Sequence, residues 1–405
     1  MKRKPFLVVL FALLASSAFA ASPKPVVVYT FTCNGSAFWR IGPCPNGGTP
    51  YSLLQGSDGN FYGNAQVSSE GRSNNGGTVF SVTAGGKFTL LHTFRAGANG
   101  TYANGNNPGQ LIEGSDGKLY GTTINGGANS PPGDGVLFRV NKDGSGFRVI
   151  HRFCSQTSCA DGFAVTAMVA GTDGNLYGTT AYGGTGCDCG AIFRVAPSGE
   201  YKIVFSFNRS TDGYYPTSLI LGPDGSLYGS SIVFLFNYTP ATKVFQAFPL
   251  KFPLVHGAQS SGGVSVIGAN GNFYGLYATY GVNGVGLFEV ERDGSNLQAF
   301  PYYNTIAGGG TPERLILASD GNIWLSDYNG VDGDGDILSL SPSDGTVLQT
   351  LTPFGTSAPV GANPGGITQA KGGNLWGTTT DFGHASHGHF AAGTVFKLNV
   401  GLPPR

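Results

Sequence analysis

The sharpest chemical signal in the chain is the run Asp332-Gly333-Asp334-Gly335-Asp336, which sets three carboxylates at alternate positions. Alternating oxygen ligands on a turning backbone suit a hard cation such as Ca2+. The run is not an EF-hand, because Ile337 stands sixth where glycine makes the turn and Ser343 stands twelfth where a bidentate Glu belongs. A solvated acidic turn would use the same residues. His384, His387 and His389, close to Asp381, bring three imidazoles into six residues and would take a transition metal such as Zn2+. Their spacing matches no zinc signature, so a polar loop is the plainer reading.

Aromatic rings beside carboxylates are the second pattern. Tyr182, Tyr214, Tyr215, Tyr280, Tyr302, Tyr303, Tyr328 and Phe382 fall in the same class of connecting segment as Asp327 and Asp381, and so do Tyr102 and Phe163. Ring faces offer apolar area and carboxylates accept hydrogen bonds, a combination that recognises sugars or peptides. Packing of long loops against the strands beneath them would use the same rings. Acyl-transfer chemistry has less support, since the chain carries no Gly-x-Ser-x-Gly elbow.

These residues hang on a repeat. The phrase Leu53 to Gly63 (LLQGSDGNFYG) recurs as Leu111 to Gly121, Met168 to Gly178 and Leu219 to Gly229, and in drifted form as Val266 to Gly275, Leu315 to Leu325 and Ile367 to Gly377. Asp-Gly between alternating apolar runs is a hairpin signal, because glycine takes the positive φ that a tight turn needs. A third strand follows each phrase, as in Gly77 to Val82, and a further short turn leads to a fourth, as in Phe88 to Phe94. Proline marks the entry to the first strand at Pro50, Pro108, Pro216, Pro312 and Pro364, where a missing amide donor is tolerated.

Seven units of four antiparallel strands, A to D, predict an all-β, seven-bladed β-propeller over residues 21–400, followed by a tail over 401–405. The seventh unit lacks strand D, and Val26 to Phe31 (VVVYTF) matches the missing pattern. Pairing that segment with the last unit closes the ring and removes an exposed sheet edge. In such a meander the A-to-B and C-to-D turns emerge on one face, here the turn face. The B-to-C and D-to-A loops emerge on the other, the loop face, which therefore collects the rings and the metal-type residues above. Strand A lines the channel; Glu113 and Glu313 lie on it in units 2 and 6, too far apart around the ring to act as an acid–base pair.

Residues 1–20 read as a secretory signal, with Lys2, Arg3 and Lys4, an apolar run from Phe6 to Leu14, and Ala18-Phe19-Ala20. The apolar run is shorter than the roughly 20 residues that cross a bilayer. No transmembrane segment is expected after its removal, and the product is expected to be secreted, periplasmic or attached to the cell surface. Without the signal, 20 basic residues face 23 acidic ones, a balance that argues against a nucleic-acid partner. The six cysteines then enter an oxidising compartment. Pairing within loops joins Cys33 to Cys44 and Cys154 to Cys159, while Cys187 and Cys189 could bridge across Asp188, stay free, or share a metal with a neighbour.

The order GSDGNFYG, glycine-rich loop, GTVF, repeated behind a signal sequence, resembles the bacterial GloVer tandem-repeat proteins over nearly the whole chain. That resemblance implies a secreted or surface-associated chain and brings no catalytic residues with it. The words Asp320 to Trp324 (DGNIW) and Gly372 to Trp376 (GGNLW) are also similar to repeats of lyase and sensor propellers. The leading expectation is a monomeric binding module that presents its Asp- and Tyr-rich loop face to a glycan, a peptide or an envelope protein. A metal-dependent lyase or lactonase with its cation at the channel mouth is the alternative, and a structural envelope protein is a third.

Overall fold

Each strand B opens with an apolar residue, an aromatic residue and, in most units, a glycine whose place is set by a ring on the neighbouring strand. Gly178 lies opposite Phe193, and a Cβ on that glycine would sit 2.2 Å from the Phe193 ring. The same cross-strand pair is Gly63 with Phe80, Gly121 with Phe138, Gly229 with Phe236, Gly275 with Phe288 and Gly377 with Phe396. In the sixth unit Leu325 replaces the glycine, and its partner is Leu338, not phenylalanine. Packing space is therefore shared between strands B and C, and the sequence changes both partners together.

The A-to-B turn is locked by a second local device. The Asp173 carboxylate accepts hydrogen bonds from the Asn175 N–H at 3.1 Å, the Asn175 side-chain amide at 2.7 Å and the Tyr177 hydroxyl at 2.7 Å. Tyr62 with Asp58, Tyr120 with Asp116 and Tyr228 with Asp224 repeat it, and the Trp324 indole N–H replaces the hydroxyl against Asp320. Burial would raise the Asp173 pKa, but the donors outweigh it and hold the carboxyl below its usual range. These aspartates thus do more than shape a turn: they terminate the aromatic side chain of strand B.

The computed structural model describes residues 23–34, 44–67, 76–97, 100–127, 134–232, 234–251, 260–279, 284–301, 312–328, 334–355, 358–381 and 389–405. They form seven four-stranded antiparallel sheets. Strands A to D of blade 1 are Gly48–Gln55, Phe61–Val67, Thr78–Val82 and Phe88–Thr93. Blades 2 to 6 repeat that order, with strands A at Asn106–Glu113, Phe163–Ala170, Ile220–Leu221, Ser260–Ile267 and Pro312–Leu317. Blade 7 has Ala362–Gln369, Leu375–Asp381 and His389–Leu398, and its outer strand is Val26–Asn34 from the other end of the chain. The closing register runs Val26 to Lys397, Val27 to Phe396 and Tyr29 to Val395.

Between blades the core is aromatic. The strand D rings stack on those of the next blade: Tyr29 on Phe88 at 4.2 Å, His92 on Phe147 at 3.5 Å, His151 on Tyr201 at 3.7 Å and Phe205 on Phe245 at 3.6 Å. Such pairs contribute about 0.5–1.5 kcal/mol each beyond their buried area. Disulfides join Cys33 to Cys44, Cys154 to Cys159 and Cys187 to Cys189. Three bridges point to an oxidising, extracellular type of environment. Among the described residues, no helix is long and apolar enough to cross a membrane. Residues 1–20, expected to be a signal segment, lie outside the described residues.

Candidate functional site

The inner edges of the strands A enclose a channel of about 1020 Å³. Its lining is shaped by a slip in strand register that recurs around the ring. In blade 1, Pro50 pairs with Ala65 and Ser52 with Asn64, so the register slips by one residue at Tyr51. Thr166 in blade 3 and Glu313 in blade 6 occupy the same position, and in blades 2 and 7 the slip falls between Pro108 and Leu111 and between Pro364 and Ile367. Blade 5 slips two residues further on, at Ser265. A bulge re-aims the side chain it frees, and Tyr51, Gln110, Thr166 and Ser265 all line the channel, as does Thr217 directly after Pro216 in blade 4. Strand A runs from the loop face to the turn face, so these polar groups ring the loop-side half.

A wall of rings continues outward from that ring at blades 3 and 4. Phe163 opens strand A of blade 3 opposite Tyr182, and their rings stack 5.0 Å apart. Tyr182 meets Tyr215 edge-on at 4.8 Å, Tyr215 meets Tyr214 at 5.0 Å, and the Arg209 guanidinium lies 4.3 Å over the Tyr214 ring. Ala164 and Ala181, the chain neighbours of Phe163 and Tyr182, line the channel, so the wall begins at its rim. Tyr182 is 36% exposed.

Two disulfide loops brace this wall. The Tyr215 backbone, held at φ 52° before Pro216, donates its N–H to the Cys189 carbonyl at 3.1 Å. Asp188, the exposed residue inside the Cys187–Cys189 bridge, accepts the Gly183 N–H at 2.5 Å. On the other flank the Cys159 carbonyl accepts N–H groups from Gly184 and Gly162. Behind them Asp161 is fully buried and accepts from the Ser155 N–H at 3.0 Å, the Ser155 hydroxyl at 2.7 Å and the Gln156 N–H at 3.2 Å. Burial opposes its ionisation, yet these donors keep the carboxyl below the usual range. His151 Nε2 lies 3.0 Å from the same carboxylate. Hydroxyl and imidazole thus share one carboxylate instead of facing each other, an arrangement that braces a loop and does not activate a nucleophile.

The structure brings Tyr182, Tyr214 and Tyr215 together and puts Asp327, Tyr328, Asp334 and Asp336 at blade 6. Asp327 ends strand B of blade 6 and Asp336 begins strand C; they are register partners, and both are buried. The Asp334 carbonyl accepts the Asn363 N–H at 2.7 Å, and the Tyr328 carbonyl accepts from the Asn363 side chain at 3.0 Å, tying blade 6 to blade 7. Asp381 pairs in register with Ala362, and His389 with Asn34. Tyr280, Tyr302, Tyr303, Phe382, Asp332, His384 and His387 lie outside the described residues. Among the described residues no group of three or more His, Cys, Asp or Glu side chains is placed to hold a metal ion. Glu113 turns to the turn face, where it accepts from the Ser57 N–H at 2.8 Å and pairs with Lys142 at 2.7 Å, joining blades 1 and 2.

Sequence reading missed the bulge ring, Arg209 and the part Phe163 plays. One signal was present: the residue after the strand-entry proline is Tyr51, Gly109, Thr217, Glu313 or Gly365, variable where its neighbours repeat. The model of the Gloeobacter/Verrucomicrobia repeat matches residues 15–233, more than half of the sequence. The chain belongs to that repeat family. No curated protein matches this Gloeobacter/Verrucomicrobia repeat protein. Among solved structures, a fungal alcohol oxidase in complex with copper is 12% identical, with 92% of this chain and 76% of that one covered and a TM-score of 0.53. A protein from Lactobacillus plantarum is 16% identical, with 75% and 84% covered and a TM-score of 0.51. Regucalcin from Agrobacterium tumefaciens, a calcium-binding protein, is 14% identical, with 93% and 96% covered and a TM-score of 0.43. At such identities the likeness is one of fold alone.

Proposed function

We propose that this repeat protein is an exported binding module whose ligand is a glycan held at the loop-side rim of the channel by Phe163, Tyr182, Tyr215 and Tyr214. The observation that carries the reading is the continuity of these rings: each touches the next, and the first two start at the channel edge. Sugar rings present C–H faces to aromatic planes, while tyrosine hydroxyls and the exposed Asp188 supply directional hydrogen bonds. The bulge ring of Tyr51, Gln110, Thr166 and Thr217 would select what reaches past the rim. A peptide or an envelope protein with an exposed apolar ring would use the same wall.

Titration calorimetry against a panel of oligosaccharides and peptides tests this. Tyr182→Ala and Tyr215→Ala should each weaken binding of the best glycan at least about tenfold, in line with the loss of a hot-spot ring, while the melting temperature stays near that of the parent. Full affinity in both variants would remove the rim from the site. The alternative reading, a metal-dependent lyase or lactonase, places a cation at the channel mouth; elemental analysis of the purified protein separates it, because that reading requires a stoichiometric cation.

A further inference from the structure

The turn-side half of the channel has a different character from the rim. Beyond the bulges six of the seven strands A contribute an aliphatic side chain to the lining, Leu54, Ile112, Val169, Ile220, Val266 and Ile316, and blade 7 has Thr368 at the matching position. All six are half-buried, open on one side to the lumen. An apolar collar spanning six adjacent blades and facing water is unusual for a soluble surface and is characteristic of a binding cavity. At its turn-side end stands Arg405, the sole charged side chain among the described lining residues.

Arg405 is delivered there by residues 399–405, which lie across blades 6 and 7. The Pro403 carbonyl accepts from the Ser319 hydroxyl at 2.6 Å and from the Gln369 amide at 3.1 Å. The Arg405 N–H donates to the Lys371 carbonyl at 3.0 Å, and one guanidinium nitrogen donates to the Leu317 carbonyl at 2.6 Å. A guanidinium carries five N–H donors, so the rest of the group is available to an anion at the end of the collar. An apolar tube with one fixed cation at its end is complementary to a single-chain anionic amphiphile.

We infer that the channel is a binding site for an alkyl carboxylate, its hydrocarbon chain in the aliphatic collar and its carboxylate on Arg405. The site is distinct from the aromatic rim and independent of what the rim binds. Neutral alkyl chains fit the collar but lack the partner for Arg405, and short carboxylates have the charge without the chain.

Calorimetry with hexanoate, octanoate and decanoate, below their aggregation thresholds, reads the collar directly in the unaltered protein. Burial of each added methylene should tighten binding about fourfold, with one equivalent bound. Arg405→Gln should weaken decanoate about tenfold and leave decanol unchanged, and Ile220→Thr and Ile112→Thr, which keep β-branching, should flatten the chain-length series. Thermal unfolding of each variant confirms that it is folded. Affinity that does not rise with chain length, more than one bound equivalent, or decanoate binding indifferent to Arg405→Gln would each overturn the assignment. Tyr182→Ala should leave decanoate binding unaltered, so failure here and failure of the glycan reading are told apart.

Discussion

His92 supplies a quantitative test of how the blades hold together. Its imidazole stacks on Phe147 at 3.5 Å, meets Phe94 edge-on at 4.8 Å, and has a buried Nε2 with no hydrogen-bond partner among the described residues. Burial, and next the positive charge of Arg95, push its pKa down from 6.5 to about 4. The native protein therefore keeps this ring neutral. An unfolded chain would take up the proton once the pH falls below about 6.5, so His92 favours unfolding progressively between about pH 6.5 and pH 4. Below that window the native state is protonated too and the effect saturates. At about 1.36 kcal/mol per pKa unit the full span is about 3 kcal/mol, and about 2–3 kcal/mol of it is lost by pH 4.5. Urea unfolding of the parent and of His92→Phe at pH 7.5, 5.5 and 4.5 measures the term, since the variant keeps the stack and all other titrating groups cancel. The gap between pH 7.5 and pH 4.5 should be about 2–3 kcal/mol larger in the parent. Parallel pH profiles would refute the reasoning.

The shared space between strands B and C predicts that Gly178→Ala destabilises by about 1–3 kcal/mol, because the new Cβ meets the Phe193 ring. Adding Phe193→Leu, which mimics the Leu325–Leu338 pair of blade 6, should recover part of that loss in chemical denaturation, and strictly additive effects would count against it. Deleting residues 23–30 should expose the His389–Leu398 edge and produce concentration-dependent self-association by light scattering. A truncated protein that stays monomeric with an unchanged melting temperature would contradict ring closure by that strand.

The blades were legible because their determinants are local. Asp-Gly turns, strand-entry prolines and the Tyr-Gly or Trp-Gly words each fix a feature within about ten residues, and the displaced strand Val26–Asn34 could be found because one unit lacked a fourth. The site was less legible, because it depends on how loops from different blades lean. Tyr182 and Tyr215 come from two blades and meet only because Pro216 and the Cys187–Cys189 bridge direct the loop between them. Tyr328, alike in sequence terms, is drawn instead to the blade 6–7 boundary by Asn363. The bulges escaped notice since a register slip changes pairing without altering the apolar alternation on either side of it. Likewise the partner of Asp173 in Tyr177 was hidden behind the turn-forming role of the same residue.

Because a bulged residue has no opposite number on strand B, its identity is not constrained by sheet pairing. Tyr51 and Thr166 occupy equivalent sites in the lining with a ring and a hydroxyl, while the neighbouring positions Leu53 and Met168 stay apolar. Blade by blade, this architecture lets selection retune the chemistry of the lumen with little penalty to folding. A seven-fold scaffold of this kind can diversify its ligands through single substitutions at fixed addresses, with the surrounding sheets left as they are.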